Sequence, residues 1–318
     1  MKTRAFRIAG ILSLLGLGGF LLAQEEPVIR VDVNLVNLFF TARDKGGAYL
    51  TDLKQSDFTV FEDGKQQEIR AFSRENNLPL TIGLLIDVSR SQESLIGEER
   101  RAGSQFFRQV LREKDLAFLI SFGADVELLQ DFTGSARLLE KGLEELRLSA
   151  GFSGLGPIPT SNPKGTLLFD SVYLAAHDQF SGQVGRKVLV LITDGADQGS
   201  HYKVSEAIEA AHRADAIIYS VYYVDPRFYG AYGGGAPGDL KKMSEETGGR
   251  MFEVNRRMSL QQIFDAIQEE MRSQYTLAYS SSNPSRDGSF RKIEIRPANK
   301  NTRVQARKGY FAQSDVAK

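Results

Sequence analysis

Three nearly unbroken apolar runs constrain this chain more than any other feature. Residues 80–86 read Leu-Thr-Ile-Gly-Leu-Leu-Ile, and residues 116–121 and 187–192 are similar. A strand that is apolar on both faces belongs in a parallel sheet covered by helices on both sides. The segments between the runs have helical spacing. Leu95, Ala102, Phe106 and Val110 mark one helix, and Leu139, Leu143 and Leu146 mark another. Residues 166–180, 204–214 and 240–246 follow, the last ended by Gly248-Gly249. Leu260, Ile263, Phe264, Ile267 and Met271 mark the final helix, and strands are expected at 216–223 and 250–254. Helices interleaved with apolar strands predict a doubly wound α/β domain over residues 78–273. Only Gly123-Ala124-Asp125 separates 116–121 from 126–130. So short a gap cannot hold a parallel crossover, so this pair is expected as an antiparallel hairpin at the sheet edge.

The flanks read as pure β. Apolar and polar residues alternate from 29 to 35 within a strand at 28–42. A second strand is expected at 58–61, a hairpin at Glu62-Asp63-Gly64-Lys65, and a third strand at 67–72. After the α/β domain, strands are expected at 275–279, 290–296, 303–306 and 310–311. Each group is too small to bury a core alone. Together they predict one discontinuous β-sandwich of about six strands, residues 24–77 and 274–313, into which the α/β domain is inserted. Residues 314–318 are expected to fray.

Composition narrows the function. The 318 residues carry 40 Lys+Arg and 40 Asp+Glu, so the net charge is +0. That disfavours nucleic acid as a partner. With 0 Cys, disulfides, thiol catalysis and thiolate metal sites are out. Lys2, Arg4 and Arg7 precede an apolar run at 8–22 diluted by Gly16, Gly18 and Gly19, and Ala23 precedes Gln24-Glu25-Glu26. This is a secretory signal pattern with cleavage expected after Ala23, although Leu21 is not the ideal small residue at −3. The alternative is an uncleaved anchor, but the run falls short of the about 20 apolar residues that a span needs. No later segment is expected to cross a membrane. The protein is therefore expected to be exported, whether periplasmic, secreted or at the cell surface.

In open α/β sheets, ligands bind beyond the carboxyl ends of the strands. Asp87-Val88-Ser89-Arg90-Ser91 follows the run at 80–86, and Thr193-Asp194-Gly195 follows 187–192. Lys164-Gly165-Thr166 precedes a helix. Asp87, Ser89, Ser91, Thr166 and Asp194 are all hard oxygen ligands, suited to Mg²⁺ or Mn²⁺. Neutral hydroxyls leave a bound cation undercharged and able to take an external carboxylate. Each piece alone has an ordinary reading: Asp87 and Ser89 as helix caps, Thr166 as an N-cap, Asp194-Gly195 as a turn. Asp197 and Ser200 read as turn residues. His177, His201 and His212 are scattered, with no partner at metal-ligand spacing. Pro163-Lys164-Gly165-Thr166 echoes the end of a P-loop but lacks the first glycine and a preceding strand.

Taken together, Asp87-x-Ser89-x-Ser91, Gly165-Thr166 and Thr193-Asp194-Gly195 resemble the metal-ion-dependent adhesion site of von Willebrand factor type A domains. The resemblance covers residues 80–273. It implies that Ser89, Ser91 and Thr166 touch the metal directly, that Asp87 and Asp194 do so directly or through water, and that an acidic residue of a partner protein completes the site. Many such domains have a small residue where this chain has Arg90, which either pairs with an acidic ligand or faces solvent. Residues 57–64 and 306–310 are similar to bacterial von Willebrand factor A-related domain proteins, a group common in acidobacterial genomes.

Two glycine-rich loops are expected beside this site, at 149–164 and 225–238. The second carries Phe228, Tyr229 and Tyr232, aromatic residues suited to anchoring a partner or to packing back on the domain. The reading that follows is an exported, divalent-metal-dependent protein-binding module rather than an enzyme, of open oligomeric state. The alternatives are a structural component of an envelope assembly with a metal-stabilised fold and, less favoured, a metal-assisted hydrolase. The hydrolase would need a general base, which the motif does not provide.

Overall fold

Five strands and a long helix open the structure, a computed structural model that describes residues 35–74, 78–149, 165–230 and 234–314. They are β1 (Leu35–Arg43), β2 (Phe58–Glu62), β3 (Lys65–Gln67), β4 (Ile69–Ser73), β5 (Leu80–Asp87) and α1 (Ile96–Val110). Next come β6 (Leu116–Phe122), β7 (Val126–Thr133), α2 (Ala136–Glu144), α3 (Leu168–Leu174) and β8 (Arg186–Thr193). The α/β part ends with α4 (Val204–Arg213), β9 (Ala216–Tyr222), α5 (Pro226–Tyr229), α6 (Pro237–Thr247), β10 (Met251–Glu253) and α7 (Leu260–Arg272). Four strands close the chain: β11 (Tyr275–Ser280), β12 (Phe290–Pro297), β13 (Arg303–Ala306) and β14 (Gly309–Phe311). The expected signal segment, most of the first glycine-rich loop and Tyr232 lie outside the described residues.

The central sheet runs β10-β9-β8-β5-β6-β7. All its pairs are parallel except the edge pair β6–β7, the antiparallel hairpin that the short linker predicts. Every residue of β5 is buried, because helices cover both faces. Leu84 and Ile86 point toward α1, α2 and α7, and Leu85 points toward α3, α4 and α6. Phe106 of α1 stacks on Phe264 of α7 with ring centroids 4.5 Å apart. Gly83 is required in β5, since a Cβ there would lie 2.3 Å from the Phe118 ring and 2.7 Å from Leu189. The Ser259 side chain accepts from the Gln262 backbone N–H at the start of α7, and Gly248 ends α6 in the left-handed region. The fold class expected from the apolar runs is the one observed.

The flanking segments form two four-stranded antiparallel sheets, β13-β1-β11-β4 and β14-β12-β2-β3. They face each other across a shared core. Leu38, Phe40, Tyr275 and Leu277 come from one sheet, and Phe58, Val60, Ile293 and Ile295 from the other. Phe40 meets Phe58 edge-on at 5.0 Å and stacks on Tyr275 at 5.5 Å. Asp63 and Gly64 both have positive φ, the conformation of a tight two-residue hairpin.

The sandwich corrects one expectation. Residues 67–72 are not a single strand. β3 ends at Gln67 in one sheet, and β4 starts at Ile69 in the other. The Gln67 amide is buried and exchanges hydrogen bonds with Ser282, donating to its hydroxyl and accepting from its backbone N–H. That bond pair holds the crossing. The sandwich has eight strands, more than the about six expected.

Candidate functional site

The order of the central sheet turns at β5. The chain leaves β5 for β6 on one side and later returns to β8 on the other, so the carboxyl ends of β5 and β8 form the topological switch point. Ile86 pairs with Ile192 in parallel register, which sets Asp87 beside Thr193. The Thr193 hydroxyl donates to Asp87 Oδ2 at 2.5 Å, and the Ser89 backbone N–H donates to Asp87 Oδ1 at 2.8 Å.

Asp194 carries more bonds. Its Oδ2 accepts from the Ser91 hydroxyl at 2.5 Å, the Gln92 amide at 3.2 Å and the Tyr229 hydroxyl at 2.8 Å. Its Oδ1 accepts from the Ala196 backbone N–H at 3.0 Å. Ser89 and Ser91 share a hydrogen bond of 3.0 Å between their hydroxyls. Gly195 follows in the left-handed region, and a Cβ there would lie 2.6 Å from the Ala236 carbonyl oxygen.

Thr166 approaches from the other side of a shallow depression of about 180 Å³, whose lining includes Ser89, Arg90, Ser91, Thr166, Phe228 and Tyr229. It does not cap its helix, because the N-cap of α3 is Leu167. Backbone bonds fix it instead: Gly165 donates to the Gln198 carbonyl, and Gln198 donates to the Thr166 carbonyl, both at 2.8 Å. Asp197 and Ser200, expected as turn residues, cap the start of α3. Asp197 Oδ1 accepts from the Phe169 N–H, and Ser200 Oγ accepts from the N–H groups of Phe169 and Asp170. The loop after β8 thereby holds Thr166 opposite the strand ends.

The electrostatics of this cluster are unusual. Asp87 and Asp194 are both fully buried. Their bonds among the described residues come from hydroxyls, an amide side chain and backbone N–H groups, not from a cationic side chain. Burial pushes the Asp87 carboxyl up to about 7, against hydrogen bonds from Ser89 and Thr193 that lower it, and the charge of Asp194 raises it further. Behind them Glu99 of α1 is also fully buried, with neither carboxylate oxygen hydrogen-bonded among the described residues, and is held well above the usual carboxylate range, first by burial and then by the charge of Asp87. A buried carboxylate without a cationic partner is costly. The donor set, two carboxylates and three hydroxyls, fits a small hard cation such as Mg²⁺ or Mn²⁺ and fits a soft metal poorly. The described residues contain no group of three or more His, Cys, Asp or Glu able to hold a metal. A cation at this cluster would therefore depend on the hydroxyls.

The structure brings together Asp87, Ser89, Ser91 and Asp194 by direct bonds and places Thr166 at the same depression. Asp87 and Ser89 do not cap α1, whose N-cap is Leu95. Arg90 is exposed at the rim and enters no ion pair among the described residues. Phe228 is 52% exposed, whereas Tyr229 turns inward to Asp194. Gln92 was not singled out from the sequence. Its buried amide bridges Asp194 and the Tyr223 carbonyl, and no local pattern signals it. The histidines lie elsewhere. His212 packs edge-on against Phe290 and Phe311, and burial lowers it to about 4. His177 pairs with Asp178 at the surface, and His201 packs against Tyr202.

No protein-family model matches the sequence, and no curated protein does. Many solved structures are similar in part, and three illustrate the likeness. The conserved hypothetical protein BatB from Bacteroides thetaiotaomicron aligns over 60% of this chain and 97% of its own, at 18% identity and a TM-score of 0.46. The vWF domain of the type V pili tip protein Mfa5 from Porphyromonas gingivalis aligns over 60% and 94%, at 12% identity and 0.45. Proximal thread matrix protein 1 from the mussel byssus, with a zinc-occupied MIDAS motif, aligns over 65% of this chain and 48% of its own, at 12% identity and 0.47. These likenesses are remote.

Proposed function

We propose that this chain is an exported, divalent-cation-dependent protein-binding module of the von Willebrand factor A type, with a Mg²⁺ or Mn²⁺ site completed by an Asp or Glu of a partner protein. One observation carries the reading. Two fully buried carboxylates at the ends of adjacent parallel strands bond to Ser89 and Ser91, which line a surface depression together with Thr166, and no cationic side chain among the described residues bonds to either carboxylate. Asp87, Ser89, Ser91, Thr166 and Asp194 would hold the ion. When bound, the cation would supply positive charge able to take an external carboxylate. Arg90 and Phe228 at the rim offer that partner a cation and an apolar anchor.

The described residues lining the depression include no His, Lys, Asp or Glu to serve as a general base, which favours binding over turnover. The same bonds support a second reading. Thr193 to Asp87 and Gln92 to Asp194 knit the ends of β5 and β8 together. A cation there would also stabilise the fold, as in a structural component of an envelope assembly.

Calorimetric titration with Mg²⁺ and Mn²⁺ tests the proposal. Saturable binding by the wild-type chain and its loss in Asp194→Ala is the expected result. Absence of binding in the wild type would overturn it. Capture of an acidic partner that is lost both with EDTA and in Asp194→Ala separates the adhesion reading from the purely structural one.

A further inference from the structure

We infer that Tyr229 sets the cation affinity of the strand-end cluster, because its hydroxyl donates to Asp194 Oδ2, the oxygen that faces Ser91 of the donor set. The inference rests on the reading of the cluster as a cation site. Asp194 Oδ2 accepts three hydrogen bonds, from Ser91 at 2.5 Å, Gln92 at 3.2 Å and Tyr229 at 2.8 Å. A carboxylate oxygen has about two lone-pair sites, so this one is fully subscribed. A cation that draws on it has to release a donor.

The three donors differ in their freedom to leave. Gln92 is fully buried and is also tied to the Tyr223 carbonyl at 3.2 Å. Ser91 belongs to the donor set itself. Tyr229 is half-buried, at the end of a single helical turn that stands at the rim of the depression. Its place there is built by the surrounding chain. Asp225 caps the turn by accepting from the Arg227 N–H at 2.8 Å, and also accepts from the Ser94 hydroxyl just before α1. On the far side the ring lies against Gly234, where a Cβ would come within 1.7 Å of Tyr229 Cδ1. Gly234 is held in turn by the Tyr222 hydroxyl, which donates to its carbonyl. The ring thus has a fitted seat, and the bond from its hydroxyl to Asp194 opposes the cation. Once displaced, Tyr229 would stand beside Phe228, whose ring it already meets edge-on at 5.0 Å, and would enlarge the aromatic surface offered to a partner.

The test is a calorimetric Mg²⁺ titration of the full chain as wild type and as Tyr229→Phe, which keeps the ring and removes only the hydroxyl. Tyr229→Phe is expected to bind Mg²⁺ about tenfold more tightly, a difference of about 1.4 kcal/mol. The chain has 11 Tyr and 0 Trp, so its near-ultraviolet absorbance reports the tyrosines. Mg²⁺ should change that absorbance in the wild type and change it less in Tyr229→Phe. Equal or weaker binding by Tyr229→Phe would overturn the role of Tyr229 and leave the cation site standing. Absence of Mg²⁺ binding by both proteins would overturn the two together.

Discussion

Thr193 and Asp87 close the seam between β8 and β5, the Thr193 hydroxyl donating to Asp87 Oδ2 at 2.5 Å inside a fully buried environment. The bond joins the two strand ends from which both carboxylates of the cluster arise. Thr193→Val keeps the shape and removes the donor. It should cost about 1–3 kcal/mol, because it leaves a buried acceptor short of a partner. It should also push the Asp87 carboxyl above about 7, since the lost bond is one that lowers it. Urea denaturation at pH 8, where Asp87 is most nearly ionised, is the measurement that checks this.

Two buried groups pull the pH dependence of stability in opposite directions. Asp87 is raised from 3.8 to about 7, so the folded state binds its proton more tightly than the unfolded state. Its contribution is complete below about pH 4 and is lost as pH rises to about 7, on the order of 4 kcal/mol. Glu99 acts with the same sign. His212 is lowered from 6.5 to about 4, so its contribution is present above pH 6.5 and is lost as pH falls to about 4. That effect is on the order of 3 kcal/mol. Without Mg²⁺, Asp87→Asn should therefore lose stability more steeply than the wild type on acidification from pH 7 to 4. His212→Leu should lose it less steeply. Equal slopes in all three proteins, read from urea midpoints, would rule out this assignment.

Glu270 of α7 joins the sandwich to the α/β part. It is fully buried and accepts from Arg43 of β1, Tyr49, Tyr219 of β9 and Gln305 of β13, with Arg250 Nε 2.9 Å away. Removing one side of such a network strands the other charges. Glu270→Ala should cost about 3–5 kcal/mol. Glu270→Gln should cost less, because it can still accept several of the bonds. Chemical denaturation of the two variants beside the wild type gives the comparison.

Gly195 carries the chain away from Asp194 with φ of 79°, and a Cβ would press on the Ala236 carbonyl at 2.6 Å. Gly195→Ala should destabilise by about 1–3 kcal/mol through backbone strain. On the cation reading it should also weaken Mg²⁺ binding, since Asp194 is the adjacent residue. A variant as stable as the wild type with unchanged Mg²⁺ affinity would show that this turn does not hold Asp194 in place.

Much of the architecture was legible because it is periodic. The runs at 80–86, 116–121 and 187–192 are apolar without break only because helices cover both faces of their sheet. The three-residue gap at 123–125 sufficed to make β7 antiparallel. The spacing of Leu260, Ile263, Phe264, Ile267 and Met271 marked the buried face of α7, and all five are buried. The division of 67–72 between two sheets was not legible. Alternation shows that a segment is extended and says nothing about which neighbour it pairs with.

The candidate site divides the same way. The oxygen donors at 87, 89, 91, 166 and 194 stand out in the sequence, because carboxylates and hydroxyls at strand ends are a local pattern. The amino-acid order alone therefore determined the α/β class, the discontinuous β flanks and the chemistry of the donors. The tertiary structure decided that Gln92 and Tyr229 bond to Asp194, that Asp197 and Ser200 cap α3, that the Glu99 carboxylate finds no hydrogen bond among the described residues and that Glu270 gathers donors from both sheets of the junction. Those contacts join residues from 28 to 227 positions apart. Local spacing sets which face of an element is buried. Strand order and packing set which distant side chains come within hydrogen-bond reach.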